Sequence, residues 1–281
     1  MSGKLLIGGT RMKKINYGKI FLRLAIIFVV LFLIMIMIYQ ISKKIKKDNL
    51  NSYDWMYEHI TFVQNENFGS DIYEVIMPED VSMYNLKYQE ALDDKIFDLH
   101  QNHRYDQPVL MYNPYGTNLL SLNLYFESDE KILVSYQIDT DGFPSFQRDL
   151  DYQEEQAYQL IGFLPGYVNT LTLTFKNEQG QQIYQKQIEV DFRNVKASVD
   201  TTIETENGDS TEALTDGLYA VLGHDKTYNS NIYFYDNDGV LRGEIPLKGY
   251  RTDRIEFVGD CMVYTYDQSH FAFVNSYGKN L

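Results

Sequence analysis

The chain has 281 residues and a formal net charge of −14, and that charge is sharply split: residues 1–47 hold ten Lys/Arg and no acid, leaving a net of −24 on the rest. A body that acidic repels a phosphate backbone, which argues against nucleic acid as a partner, while the length allows one large domain or two ordinary ones. The 24 Tyr and 16 Phe call for ordered, aromatic-rich β structure, and the single cysteine, Cys261 in "CMVYTY", excludes an intramolecular disulfide and reads as a small buried hydrophobe.

In "KIFLRLAIIFVVLFLIMIMIYQIS" no polar residue interrupts Leu24–Ile38. Residues 20–41 as a helix, at ~1.5 Å per residue, span roughly 33 Å, enough to cross a bilayer's hydrocarbon layer. Arg23 lies near one end, where its stem lifts the charge to the headgroups. No small-residue cleavage site follows, so the segment reads as an uncleaved signal anchor after a cytoplasmic stretch at 1–19. Six Lys/Arg precede Leu24 and four follow Ser42, a mild lean toward an outward-facing C-terminal part. Counted from Met12, the two flanks tie.

Residues 42–104 read as a juxtamembrane, partly helical region. In "VSMYNLKYQEALDDKIFDLHQ", Met83, Leu86, Ala91, Leu92, Ile96 and Leu99 follow one helical stripe. His100 and His103 close it. Their spacing suits a metal pair, but no third ligand completes the set, so a solvated helix end is expected.

Residues 105–195 switch to a period of two. Leu120, Leu122, Leu124 and Phe126 share one face, and after a short "SDE" connection Ile132, Val134, Tyr136 and Ile138 share another. A second pair follows: Leu171, Leu173 and Phe175, the turn "NEQG", then Ile188, Val190 and Phe192. Alternating strands joined by Gly/Asn/Asp turns predict an antiparallel, Ig-like β-sandwich. Residues 196–216, polar and acidic, read as a linker.

Beyond it, "NIYFYDNDGVL" (231–241) and "HFAFVNSYGKN" (270–280) align at a constant offset of 39 residues, matching Ile232 with Phe271, Phe234 with Phe273, Asp236 with Asn275 and Gly239 with Gly278. An apolar strand precedes each copy. A period near forty with several short strands per unit is the signature of a β-propeller blade. With "VLRGEIPL" and "RIEFVG" both assigned to the first copy, residues 217–281 hold about one and a half blades, and a ring needs ~4–8. The expectation is a truncated propeller, and a mainly β chain throughout.

"NPYGTNLLSLNLYFESDEKILVSYQI", "LIGFLPGYVNTLTLTFKNEQG" and "GLYAVLGHDKTYNSNIYFYDNDGVLRGEIPLKGYRTDRIEFVGD" resemble the N-terminal sandwich and opening blade of bacterial aryl-sulfate sulfotransferases. The likeness covers residues 105–281, and the Asn113–Gly116 corner and the "GEIPLKGYRTDRIEF" run are its most specific parts. The resemblance implies a six-bladed propeller that moves a sulfuryl group from a phenolic sulfate ester to a phenol, without an adenylyl-sulfate donor. A transiently sulfated histidine serves as nucleophile, and further His and Arg hold the sulfate oxygens. No position here matches the catalytic histidines, so no catalytic, cofactor-binding or metal residue is assigned, and the chain alone is expected to be inert.

The remaining candidates have plainer readings. His224 reads as loop and His270 as an outer strand residue. Arg242, Arg251 and Arg254, interleaved with Glu244, Asp253 and Glu256, read as surface pairs. "DTDG" (139–142) and "DNDG" (236–239) start like calcium loops without the downstream carboxylates, so hairpin turns are expected. The expected partners are a membrane and, for the whole enzyme, aryl sulfate and phenol; a homo-oligomer is compatible with these features. The rival reading is an anchored extracellular binding protein with a non-catalytic propeller.

Overall fold

A computed structural model describes residues 17–50, 52–206, 217–224, 230–247, 252 and 254–281. They form two units, one ending at Asn51 and one running from Ser52 to Leu281.

The first unit is helix α1 (Tyr17–Asn49), longer than the 20–41 segment picked out by composition because residues 17–19 and the lysine-rich residues 42–49 continue the helix. Lys46 and Lys47 sit in its last turn, where cations complement the helix dipole. Every side chain from Leu24 to Asp48 is exposed. The span is long and apolar enough to cross a membrane, and hydrocarbon would supply the apolar contacts that the protein does not.

The second unit opens with α2 (Tyr53–His59), capped by Ser52, then a hairpin of β1 (Thr61–Gln64) and β2 (Ile72–Ile76). Helix α3 (Leu86–His100) starts at Asn85, whose side chain accepts from the Lys87 and Tyr88 amides at 3.0 and 3.3 Å, satisfying two otherwise orphaned donors. Its buried stripe is Tyr88, Gln89, Ala91, Leu92, Ile96 and His100, whereas Leu86 is exposed and Met83 precedes the cap. The predicted stripe was therefore right over 91–96 and wrong at its start.

β3 (Val109–Tyr112), β4 (Ser121–Tyr125), β5 (Leu133–Thr140), β6 (Phe146–Asp149), β7 (Ala157–Ile161), β8 (Val168–Lys176) and β9 (Gln182–Asp191) follow. They build two sheets, β1-β2-β3-β4-β7 and β6-β5-β8-β9. The β1–β2 hairpin thus extends a sandwich sheet into the region expected to be only partly helical. Strand β2 runs parallel to β3 with α3 between them in sequence. The "SDE" connection does not close a hairpin: β4 pairs with β3 and β7, β5 with β6 and β8, so the chain crosses between sheets there. One apolar cluster fills the gap, formed by the predicted inward residues Leu122, Leu124, Phe126, Ile132, Val134, Tyr136, Ile138, Leu171, Leu173, Phe175, Val190 and Phe192 together with others. Strand β4 is buried on both faces, because α3 and a turn of the last sheet cover its Ser121–Asn123–Tyr125 side.

Two three-stranded antiparallel sheets complete the unit: β10 (Tyr219–His224), β11 (Ser230–Tyr235) and β12 (Leu241–Pro246), then β13 (Ile255–Val258), β14 (Cys261–Thr265) and β15 (Phe271–Val274). The "RIEFVG" strand, β13, pairs with β14 and so belongs to the second sheet, not the first. Ile232 and Ile245 of one sheet and Tyr264, Ala272 and Val274 of the other share a core with Tyr84. Of the predicted linker, residues 196–203 pack instead: Ala197 and Val199 lie on Tyr233, Tyr235 and Leu241, and Thr202 bridges Val240. Residues 207–216 of that linker lie outside the described residues.

Candidate functional site

The 39-residue repeat is carried into hydrogen bonding. The amides of Val240 and Lys279 each donate to the side-chain oxygen of the equivalent residue, Asp236 or Asn275, at 2.9 Å. The Gly239 and Gly278 amides return to the carbonyls of those same two residues at 3.0 Å. Both glycines have positive φ, +71° and +93°, a region their missing Cβ leaves open. "DTDG" is also a hairpin turn, between β5 and β6, with the Phe143 amide bonded to the Thr140 carbonyl.

Both sheets are seated on the sandwich through residues 113–123. Asn113 accepts from the Asn118 amide at 3.1 Å, fixing the "NPYG" corner. The Asn118 carboxamide oxygen then accepts from the Glu244 amide at 3.1 Å, and the Leu119 amide donates to the Glu244 carbonyl at 2.9 Å. One turn later in the repeat, Thr117 donates to the Gly278 carbonyl and Asn123 to the Tyr277 carbonyl, both at 2.6 Å. Gln89 of α3 accepts from the Asn280 amide at 3.1 Å, and Lys279 pairs with Asp93, which also takes the Tyr115 hydroxyl at 2.7 Å. Burial holds the Tyr115 hydroxyl well above its ordinary range, so it serves here as a donor.

Charged residues expected at the surface are buried at the same junction. Arg242 is 1 % exposed. Its Nε lies 2.6 Å from Asp236, it donates to the Pro144 and Gly162 carbonyls at 2.9 and 3.3 Å, and it lies 4.9 Å over the Phe146 ring. Glu244 is fully buried and accepts from the Ser198 amide at 3.2 Å and from the Ser198 hydroxyl. Such charges persist only when paired and bonded, and position in the sequence gave no sign of those partners. Arg254 does form an exposed pair with Glu256 at 3.6 Å, while Arg251 and Asp253 lie outside the described residues.

The described histidines all have local partners. His100, expected to be solvated, is 5 % exposed, bonded to the Ile96 carbonyl and 3.3 Å from Glu127. His103 bonds the Gln107 carbonyl. His270 is exposed, 2.8 Å from Asp267 and stacked on Tyr266. The Ser269 amide, and after it that imidazole, hold the Asp267 carboxyl below its usual range. His224 ends β10, its side chain lying outside the described residues. Cys261 is half-buried rather than buried. Among the described residues no group of three His, Cys, Asp or Glu could hold a metal ion.

Two features went unanticipated. Tyr84 stacks on Tyr266 at 3.8 Å, donates to the Pro246 carbonyl at 2.9 Å and meets the Tyr264 hydroxyl at 3.3 Å, tying both sheets together. A cleft of about 660 Å³ also lies along β5, β6 and β8 beside the Asp236–Asp238 turn.

Comparison with protein families gives two matches in tandem. The arylsulfotransferase Ig-like domain matches residues 109–193, and the arylsulfotransferase (ASST) domain matches residues 204–281. Comparison with curated proteins returns no match. The loop after the "NPYG" corner and the "GEIPL" strand, one in each matched span, bond to each other through Asn118 and Glu244, and the chain belongs to the aryl-sulfate sulfotransferase family.

Proposed function

We propose that this chain is the membrane-anchored N-terminal portion of an aryl-sulfate sulfotransferase, which moves a sulfuryl group from a phenolic sulfate ester to a phenol. α1 anchors it, the acidic unit faces outward, and the sulfated histidine lies downstream of the sheets described above.

The observation that carries this reading is the packing of the repeat. Ile232 and Phe234 face the second sheet; their equivalents Phe271 and Phe273 are 63 % and 45 % exposed. By the 39-residue translation, that face is where a further sheet of the same kind would pack. The chemistry required, an imidazole nucleophile beside guanidinium forks for sulfate oxygens, is not assembled among the described residues, whose histidines are bonded to carbonyls or carboxylates.

The test is a sulfuryl-transfer assay with an aryl sulfate donor and a phenol acceptor. The chain alone is expected to be inert, and a longer product of the same reading frame active. Turnover by the 281-residue chain would overturn the placement of the nucleophile.

A further inference from the structure

We propose that α1 packs in parallel against the α1 of further copies of this chain, along a seam of Leu24, Ile27, Leu31, Ile34, Ile38, Ile41 and Ile45. This rests on the reading of α1 as a membrane anchor and goes beyond it, naming what the anchor meets.

The spacing is that of packed parallel helices. The seven residues recur at alternating steps of three and four along one unbroken helix. At 100° per residue they stay within about 100° of arc, on the a and d positions of a heptad frame. All seven are exposed.

Composition selects this face from the others. Over Leu24–Ile38 every side of α1 is apolar, and hydrocarbon covers each of them equally well. Even there the seam holds only Leu and Ile, while Phe28, Phe32, Met35 and Met37 fall outside it. Past Ile38 the helix turns polar. Tyr39, Gln40, Ser42 and the lysines at 43, 44, 46 and 47 surround just two aliphatic residues, Ile41 and Ile45, and both fall on the seam. Lys43 and Lys47 lie on the opposite side of the helix, and Asp48, at the next position of the frame, ends the seam.

Ile45 decides the occupant. It is 55 % exposed, seven residues or about 10 Å past the apolar run, between Lys44 and Lys46. Ammonium groups hold that turn among headgroups or in water, where acyl chains do not cover an isoleucine. A second α1 does. A single span inserts every copy in the same direction, so Ile45 meets Ile45 and the whole seam is in register with itself. The far-side Lys43 and Lys47 keep their like charges apart in such an assembly.

The test is disulfide trapping of the full chain in membrane vesicles, with Cys261→Ser as the background and one cysteine introduced at a time along α1. On mild oxidation Ile41→Cys and Ile45→Cys should run as covalent dimers, while Lys43→Cys and Lys47→Cys should stay monomeric. Adding Phe271→Ser and Phe273→Ser should leave the trapping unchanged; its loss would assign the association to the sheets and overturn the seam. Alkaline carbonate extraction of the same vesicles separates the two readings. A chain released by carbonate would overturn the anchor and the seam together. A retained chain that never cross-links, or that cross-links equally at all four positions, would overturn the seam alone.

Discussion

Asn118 and Glu244 clasp each other across 126 positions of sequence: the Asn118 carboxamide oxygen accepts from the Glu244 amide at 3.1 Å, and the adjoining Leu119 amide donates to the Glu244 carbonyl at 2.9 Å. The Asn118 oxygen also takes the Leu120 amide at 3.0 Å. Asn118→Ala would leave two buried amides without an acceptor, each costing about 1–3 kcal/mol. We expect a loss of about 2–4 kcal/mol in urea unfolding.

Arg242→Ala removes the buried partner of the half-buried Asp236 carboxylate and empties a site sealed by two carbonyls and the Phe146 ring. Breaking a buried pair from one side costs about 3–5 kcal/mol. The variant should accumulate poorly and melt far below wild type. Arg254→Ala, which opens an exposed pair, should shift stability by under ~1 kcal/mol.

Tyr84 contributes chiefly through its ring. Tyr84→Phe loses its bond to Pro246 and should cost about 1 kcal/mol, while Tyr84→Ala should cost about 3–5 kcal/mol. Equal losses from both would mean that the hydroxyl, not the ring, joins the sheets.

Buried tyrosines set an alkaline limit. Desolvation pushes the hydroxyls of Tyr84, Tyr112 and Tyr277 up to about 12, and those of Tyr115 and Tyr264 well above their ordinary value. A folded-state pKa above the unfolded one gives stability that is whole below the unfolded value, about 10, and is lost as pH rises toward 12. Tyrosinate absorbance and circular dichroism should therefore change together, cooperatively, in that window. Gradual ionisation with the fold intact would contradict this burial.

The exposed Phe271 and Phe273 face predicts dye binding and self-association by the chain alone. Phe271→Ser with Phe273→Ser should reduce both while shifting stability by under ~1 kcal/mol. A large loss of stability would show that this face is already covered.

The sequence by itself determined what depends on near neighbours. The long apolar helix follows from an unbroken apolar run, the inward rows of β5 and β8 from a period of two, and the hairpins from Asp-Gly turns. The constant offset of 39 likewise foretold two turns with the same bonds. Each of these is a local constraint on backbone angles or on which side of an element meets water.

Only the tertiary structure decided which sheet claims β1, β2 and β13, and which charges are buried. Arg242 and Glu244 sit in an alternating charged stretch that locally resembles a solvated strand. Their burial depends on Pro144, Gly162, Asn118 and Ser198, between 46 and 126 residues away. Likewise, His100 is buried because Tyr125 and Glu127 come to meet it. A charged residue's side-chain chemistry fixes what partner it needs, but only the folded chain brings that partner within reach.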